Sequence, residues 1–326
     1  MKSPKFWYKS KHLTLGMVLY PLSLVYSFFA SLNYKSRYRS SESEARVIAV
    51  GGITVGGSGK TPAVIALCDF FKDNHKNAAV LTRGFGRDSS ETLMVDLDKH
   101  TFRDVGDEAL LIAEYANVFV GKNRAKSARN AVACGHDLII LDDGLTQRYI
   151  KPDVRLAVID NKQRFGNGYM LPLGPNRINF NMIKDDVDAV IIMKGLQNED
   201  ITKVTSQIPA SIPILTAYLE QDFSQVKSNE RIIAFAGLGY PKKFFQSLQT
   251  RMNLVKTVEF PDHHPYTDKN IADLLEEANL KRTKLLTTKK DLTRIPKKYH
   301  ESIKTIPMKV IFDDIDKLRS IIEINE

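Results

Sequence analysis

At 326 residues the chain is long enough for one large or two medium domains, each with its own core. Hydrophobic residues make up 43% and charged residues 26%, which excludes a disordered or fibrous chain. The net charge of +9 gathers at one end: Lys2, Lys5, Lys9, Lys11, Lys35, Arg37 and Arg39 precede the first acidic residue, and the remainder is close to neutral. Nucleic-acid binding needs a basic face on a folded domain. Here the charge flanks an apolar run, so a membrane surface is the expected partner and nucleic acid is not.

The run from Leu13 to Tyr34 holds no charge in 22 residues, and as one helix it measures about 33 Å, near the thickness of a bilayer's hydrocarbon. A cleaved signal peptide fits so long and aromatic a segment poorly. A single span fits the length, but Pro21 interrupts it and Ser23, Ser27, Ser31 and Asn33 dilute it; a buried core helix is a third possibility. The preferred reading is a pair of helices, about 13–20 and 22–34, broken at Pro21. They lie in the interface with Trp7, Tyr8, Tyr20, Tyr26 and Tyr34 near the headgroups.

A short strand, Val47 to Val50, then runs into Gly51-Gly-Ile-Thr-Val-Gly-Gly-Ser-Gly-Lys-Thr61. This is the layout of a phosphate-binding loop. Glycines let successive backbone N–H groups turn around phosphate oxygens, Lys60 reaches the β- and γ-phosphates, and the Thr61 hydroxyl can ligate Mg²⁺. The following helix, Ala63 to Phe71, turns its N-terminus to the anion. The strict pattern wants glycine where Thr54 stands, with Gly56 and Gly57 inside the loop instead.

Further strands are expected at Ala78–Leu81, Leu138–Leu141, Leu156–Ile159 and Val190–Met193, separated by helix-like stretches. That alternation predicts a parallel sheet covered on both faces. A second series, Pro213–Tyr218, Ile232–Ala236, Val255–Phe260, Leu285–Thr287 and Met308–Phe312, follows a more polar region, which puts a domain boundary near 215–228. Two α/β lobes leave a cleft between them for a ligand. The cysteines, Cys68 and Cys134, have no metal-ligand or redox spacing and read as buried, reduced thiols in a cytosolic protein.

Within this frame Asp142-Asp143-Gly144 ends a hydrophobic strand, where a phosphate-loop enzyme needs an acid for Mg²⁺ or its waters. Gly106-Asp107-Glu108 opens a helical run to Tyr115, and an Asp there also serves as a cap. The pair His263-His264 follows a strand, and spacing alone assigns it no role. Arg83, Arg87 and Arg177 lie in glycine-bearing loops suited to phosphate. Thr288-Lys-Lys-Asp291 resembles a guanine-reading motif, but it stands far from Lys60 and no Asp-x-x-Gly switch follows the Asp142 strand.

In this order the motifs resemble the tetraacyldisaccharide 4'-kinase family. The specific blocks are Val55-Gly-Gly-Ser-Gly-Lys-Thr-Pro62, Gly106-Asp-Glu108, Asp142-Asp-Gly144, Arg164-Phe-Gly-Asn-Gly168 and Phe260-Pro-Asp-His263, with outer matches at Pro21–Tyr26 and Leu286–Asp291. The family's loop also carries Ser or Thr at the place of Thr54. The resemblance implies an α/β fold of two Rossmann-like, P-loop lobes around a cleft: a membrane-associating helical segment over 1–40, a P-loop kinase domain over 41–220 and a smaller lobe over 221–326. It implies Mg-ATP phosphorylation of the 4'-hydroxyl of a tetraacylated glucosamine disaccharide 1-phosphate, giving the 4'-phosphorylated lipid A precursor. The implied place is the cytoplasmic face of the bacterial inner membrane, with no obligate protein partner.

By the same resemblance Asp107 is the base on the sugar hydroxyl and His263 assists it. Lys60, Arg124 and Arg177 complete the catalytic set; Thr54, Val55, Gly56, Gly57, Ser58, Gly59, Lys60, Thr61 and Phe85 hold ATP; Thr61, Asp142 and Asp143 serve Mg²⁺. The chain departs from the family pattern at Thr146-Gln147, where Gln-His is usual, at Ile178, where a Glu often follows the arginine, and at Phe85, where Tyr is usual.

Overall fold

The computed structural model describes residues 4–8, 13–36, 38, 43–195, 197–224, 226–227, 229–239 and 241–323. Of the N-terminal basic residues, Lys2, Lys9, Lys11, Arg37 and Arg39 lie outside these ranges. The first strands in chain order are β1 (Arg46–Gly52), β2 (Ala78–Thr82), β3 (Leu93–Met94), β4 (Asn117–Val120), β5 (Leu138–Asp142), β6 (Val154–Asp160), β7 (Ala189–Lys194) and β8 (Ile214–Gln221). After them come β9 (Arg231–Ala236), β10 (Asn253–Glu259), β11 (Lys284–Thr288), β12 (Ile303–Ile306) and β13 (Met308–Phe312). The larger sheet has the order β13-β8-β7-β6-β1-β5-β2-β4-β3, and the smaller has β10-β9-β11-β12.

Pairing in the larger sheet is parallel except at its edges, where β13 runs antiparallel to β8 and β3 to β4. Its central strands are almost wholly buried, because helices cover both faces. The covering helices are α1 (Leu13–Lys35), α2 (Lys60–Asp73), α3 (Phe102–Val105), α4 (Asp107–Ala113), α5 (Arg124–Ala133), α6 (Phe180–Ile183) and α7 (Thr202–Thr205). In the second lobe are α8 (Pro241–Gln249), α9 (Asp268–Leu280) and α10 (Lys289–Leu292); α11 (Ile315–Glu323) ends the chain. One face of the large sheet packs Ile48, Val50, Val80 and Ile140 against Val64 and Leu67 of α2, Ile112 of α4 and Leu318 of α11. The opposite face packs Ile139 and Leu141 against Ala128 and Ala131 of α5, and Ile192 against Ile183 and Val204.

Two expectations change here. The stretch from Met308 onward, placed by its sequence with the second lobe, returns to the first: β13 pairs with β8, and Val310, Leu318, Ile321 and Ile322 join the first lobe's core. The N-terminal apolar run is one helix through Pro21 rather than a broken pair. The proline forfeits one internal hydrogen bond, but contacts on either side hold the helix in line. Tyr20 meets Tyr169 edge to face, Ser23 Oγ donates to the Met170 carbonyl at 2.9 Å, and Tyr34 reaches Asp186 at 2.5 Å. None of the described helices is long and apolar enough to cross a membrane. Cys68 is buried as expected, whereas Cys134, just past α5, is exposed.

Candidate active site

Parallel strands place their C-terminal ends together, and that edge of the large sheet gathers the candidate residues. The phosphate loop leaves β1 at the sheet's centre. Gly59 takes φ 88° as the cap of α2, and a side chain there would strike Met193 at 2.8 Å, so glycine is required on both counts. Thr54 is buried and pairs with Asn176 of the loop after β6, with Val55 N donating to the Pro175 carbonyl at 2.8 Å. Lys60 Nζ lies 3.5 Å from the Gly56 carbonyl, back over the loop. Ser58 is buried, and its hydroxyl has no hydrogen-bond partner among the described residues. A buried polar atom without a partner at this position fits a ligand that brings its own oxygens.

The loop carrying Asn176 also delivers Arg177. Its guanidinium meets Asp143 at 2.6 Å, and its backbone N–H donates to the Ile53 carbonyl at 2.8 Å. Asp142 ends β5, beside β1, Asp143 follows it, and their environments differ. Asp142 is buried and accepts from the Thr82 hydroxyl at 2.9 Å; burial, then the Glu108 and Asp143 charges, push its carboxyl up to about 6 despite Lys60. For the more open Asp143, desolvation is outweighed by Lys60, Arg177 and Arg124, and its carboxyl is held below the usual range. Arg124 opens α5 and is buried; it donates to the Gly121 carbonyl at 2.9 Å and to that of Asp142 at 3.3 Å, fixing the end of β5.

Among the described residues no group of three or more His, Cys, Asp or Glu gathers as a metal cage. Magnesium fits such a place all the same, because it takes one or two carboxylates and completes its shell with phosphate and water. Asp142, Asp143 and the Thr61 hydroxyl are donors of that kind.

Asp107 stands at the first position of α4, behind Gly106, whose φ of 91° and ψ of 149° suit only glycine. Its carboxylate is 4% exposed. Oδ1 accepts the Glu108 N–H at 2.9 Å, and Oδ2 meets His263 Nδ1 at 2.8 Å, across the boundary between the lobes. Burial alone would raise this carboxyl; the His263 hydrogen bond, with the charges of Lys290, His263 and Arg294, overrides it and holds the group below its ordinary value. His263 has φ 55° and donates its backbone N–H to the Gly237 carbonyl at 3.2 Å. Phe85, expected beside the nucleotide, lies edge-on to the His263 ring at 5.8 Å between centroids and is 70% exposed.

Asp291, the acid of the guanine-like motif, is turned inward. Buried completely, it accepts from Gly237 N at 2.9 Å, the Tyr266 hydroxyl at 2.9 Å and the Thr288 hydroxyl at 2.7 Å, which leaves nothing for a base edge. Its lysines bridge the lobes instead: Lys289 meets Glu114 at 2.6 Å and Lys290 meets Glu108 at 2.8 Å. Arg294, indistinct in the sequence among Lys289, Lys290, Lys297 and Lys298, is buried with Nε 3.5 Å from Asp107 Oδ2.

The family model for tetraacyldisaccharide-1-P 4'-kinase matches residues 15–324. A tetraacyldisaccharide 4'-kinase of Hyphomonas neptunium is 34% identical, with 99% of this chain and 97% of that one covered. That of Paramagnetospirillum magneticum is 37% identical over 91% of this chain and 90% of the relative. A crystal structure of LpxK from Aquifex aeolicus in complex with ATP superposes with a TM-score of 0.77 at 27% identity, covering 95% of this chain and 98% of that one. Sequence and fold agree over nearly the whole length, and the chain belongs to the tetraacyldisaccharide 4'-kinase family.

Proposed function

We infer that this protein transfers the γ-phosphoryl group of ATP to the 4'-hydroxyl of a tetraacylated glucosamine disaccharide 1-phosphate, giving the 4'-phosphorylated lipid A precursor. The observation that carries the reading, beside the family, is the 2.8 Å contact of Asp107 in the first lobe with His263 in the second. It puts a carboxylate–imidazole pair at the lobe boundary, on the sheet edge that carries the phosphate loop.

Phosphoryl transfer passes through a loose transition state that asks for positioning and charge neutralisation more than for covalent chemistry. The loop's N–H groups and Lys60 hold the β- and γ-phosphates. Asp107 accepts the hydroxyl proton; with the nucleophile's bond only partly formed, that proton leaves late, so aim matters more than high basicity. His263 fixes the carboxylate's direction through Nδ1. Arg177 stays on Asp143 and keeps it ionised, while Arg124 holds the backbone at Asp142. A bound Mg²⁺ would supply charge neutralisation, and Thr61, Asp142 and Asp143 are the residues that would hold it.

The acyl chains of the substrate need an apolar surface. α1 offers one: Val18, Leu22, Leu24, Val25, Phe28, Phe29 and Leu32 are each at least half exposed, while Ser23 and Tyr34 face the body. This supports peripheral attachment to the cytoplasmic face of the inner membrane, where ATP is present. The test is transfer of labelled γ-phosphate to a detergent-dispersed tetraacyl disaccharide 1-phosphate, with Mg²⁺ present or chelated and Lys60→Ala as control. Labelled lipid that vanishes on chelation and in the variant bears the reading out. Phosphate release without acceptor, and no labelled lipid, overturns it in favour of a hydrolytic switch.

A further inference from the structure

Arg294 has a geometry that packing alone does not require. The side chain is 2% exposed. One terminal nitrogen, Nη2, donates to Asp291 Oδ1 and to the Gly237 carbonyl at 3.1 Å. Its remaining nitrogens, Nε and Nη1, are buried and find no hydrogen-bond acceptor among the described residues. The charge is already balanced inside the second lobe by Asp291, so neutralisation does not explain why Nε is turned across the boundary. It stands 3.5 Å from Asp107 Oδ2, the oxygen that His263 meets at 2.8 Å. That separation is long for a hydrogen bond but close for an ion pair, and a small approach of the lobes would shorten it.

We propose that Arg294 is a positioning residue for deprotonation of the acceptor: held by Asp291, its guanidinium fixes the Asp107 carboxylate against His263 only when the second lobe is seated. The proposal rests on reading Asp107 as the base. Two second-lobe groups, the Arg294 guanidinium and the His263 imidazole, then grip one carboxylate oxygen and leave Oδ1, bound by a single backbone N–H, for the hydroxyl. The same loop fixes both: Gly237 accepts the His263 N–H and an Arg294 N–H at its carbonyl, and donates its own N–H to Asp291. Asp291, sequestered from solvent, is thereby the anchor of the pair.

The charged neighbours of Asp107 give the proposal a signature. From its own helix comes Glu108, offset by Lys290 of α10; from the second lobe come His263, with Asp262 3.9 Å from its far nitrogen, and Arg294, backed by Asp291. Removing Arg294 withdraws one of the cations that hold the Asp107 carboxyl down. The acid limb of the rate profile therefore moves to higher pH. A residue that merely supports packing would lower the rate evenly and leave the limb in place.

The experiment measures kcat and KM for lipid phosphorylation from about pH 3 to pH 9, so that the limb set by Asp107 falls inside the range, in the full chain, Arg294→Met, Arg294→Lys, and Arg294→Met combined with Asp291→Asn. Melting curves and ATP affinity accompany each. The double variant removes both buried charges, so a failure of Arg294→Met to fold does not end the test. Arg294→Met and the double variant are expected to lose kcat roughly tenfold or more through misalignment, with KM for ATP unchanged and the acid limb displaced upward. Arg294→Lys, which keeps the charge, should return the limb to its wild-type place. A limb that coincides with wild type in every folded charge-removing variant overturns the inference, as does an Arg294→Lys profile no better than that of the Met substitution. Asp107→Asn separates the premise: near-normal turnover there removes the base itself, whereas a dead Asp107→Asn beside unmoved Arg294 limbs removes the Arg294 role alone.

Discussion

Asp107 and Asp142 are both buried, yet their surroundings drive them in opposite directions, and the difference assigns their work. Asp107 is surrounded by cations and stays a carboxylate across neutral pH. Replacing it by Asn, or His263 by Ala, is expected to lower kcat by about 10² to 10⁴-fold while ATP affinity and melting temperature stay near wild type; stopped turnover with intact calorimetric ATP binding is the check. Asp142 carries an ionised group at a cost, since burial, Glu108 and Asp143 push its carboxyl up to about 6. A carboxyl raised above its unfolded value contributes stability in full below that unfolded value, near 4, and loses it as pH rises through 6. Asp142→Asn should therefore stabilise the nucleotide-free protein at pH 7.5 by up to roughly 3 kcal/mol, with the gain shrinking towards pH 5 and activity lost. A melting temperature equal to or below wild type at both pH values would falsify this account. The phosphate loop and the Asp142-Asp143 pair stand out in the sequence because each sits in a local motif, whereas Asp107 and His263 gain a role there only through the family resemblance. Arg294 does neither, because its meaning lies in a contact with Asp107, 187 positions away in the chain, and nothing in Lys290-Asp-Leu-Thr-Arg294 distinguishes it from an exposed cation.

At the scale of elements, the strand–helix alternation was readable because buried parallel strands are continuous apolar runs, and β1, β2, β5, β6 and β7 fall where such runs occur. Two short members of the large sheet, β3 and β4, escaped notice: Leu93–Met94 is too brief to show a pattern, and Asn117–Val120 offers only three apolar residues. On local grounds Pro21 marks a break, yet α1 continues because the body of the first lobe supports it along its length. The contacts that decide this, Ser23 with Met170 and Tyr34 with Asp186, lie about 150 positions apart. The helix thus presents one face to the protein and an apolar one to its surroundings. Phe28→Asp with Phe29→Asp, on side chains 60% and 63% exposed, should leave folding and ATP affinity unchanged. Each Phe removed from an interface forfeits about 2 kcal/mol of apolar transfer, so recovery with anionic lipid vesicles should fall more than tenfold. Unchanged vesicle recovery would place the attachment elsewhere.

For the whole molecule, the decisive feature is how the second lobe is attached. The strand that leaves the first lobe, β8, and the one that returns, β13, are antiparallel neighbours with Gln221 opposite Met308, and Asp222 N donates to the Pro307 carbonyl at 2.9 Å just beyond. The intervening chain is therefore an insertion hung on a two-stranded stalk. No hydrophobic cluster among the described residues mixes the lobes: Ile232, Ala234, Phe244, Leu248 and Leu286, and on the other face Ile233, Phe235, Ile271 and Leu285, pack only with second-lobe partners. What joins the lobes is mostly polar, including Asp107 with His263 and Arg294, Glu108 with Lys290, Glu114 with Lys289, Asp160 with Lys243 and Lys297 with the Leu97 carbonyl, beside the edge contact of Phe85 with His263. Apart from the buried Asp107 and Arg294, these polar pairs are partly exposed and contribute little net stability, and cutting the connection leaves no large apolar surface behind. Replacing residues 223–306 by a two-residue hairpin turn such as Asn-Gly should accordingly give a first lobe that melts cooperatively and binds ATP through the retained phosphate loop. It should transfer no phosphate, because the groups that orient Asp107 have gone. Calorimetric melting with an ATP titration checks the first half and the lipid assay the second. Loss of cooperative melting would mean that the second lobe is part of the first lobe's fold; residual transfer at wild-type level would mean that Asp107 needs no partner from across the boundary.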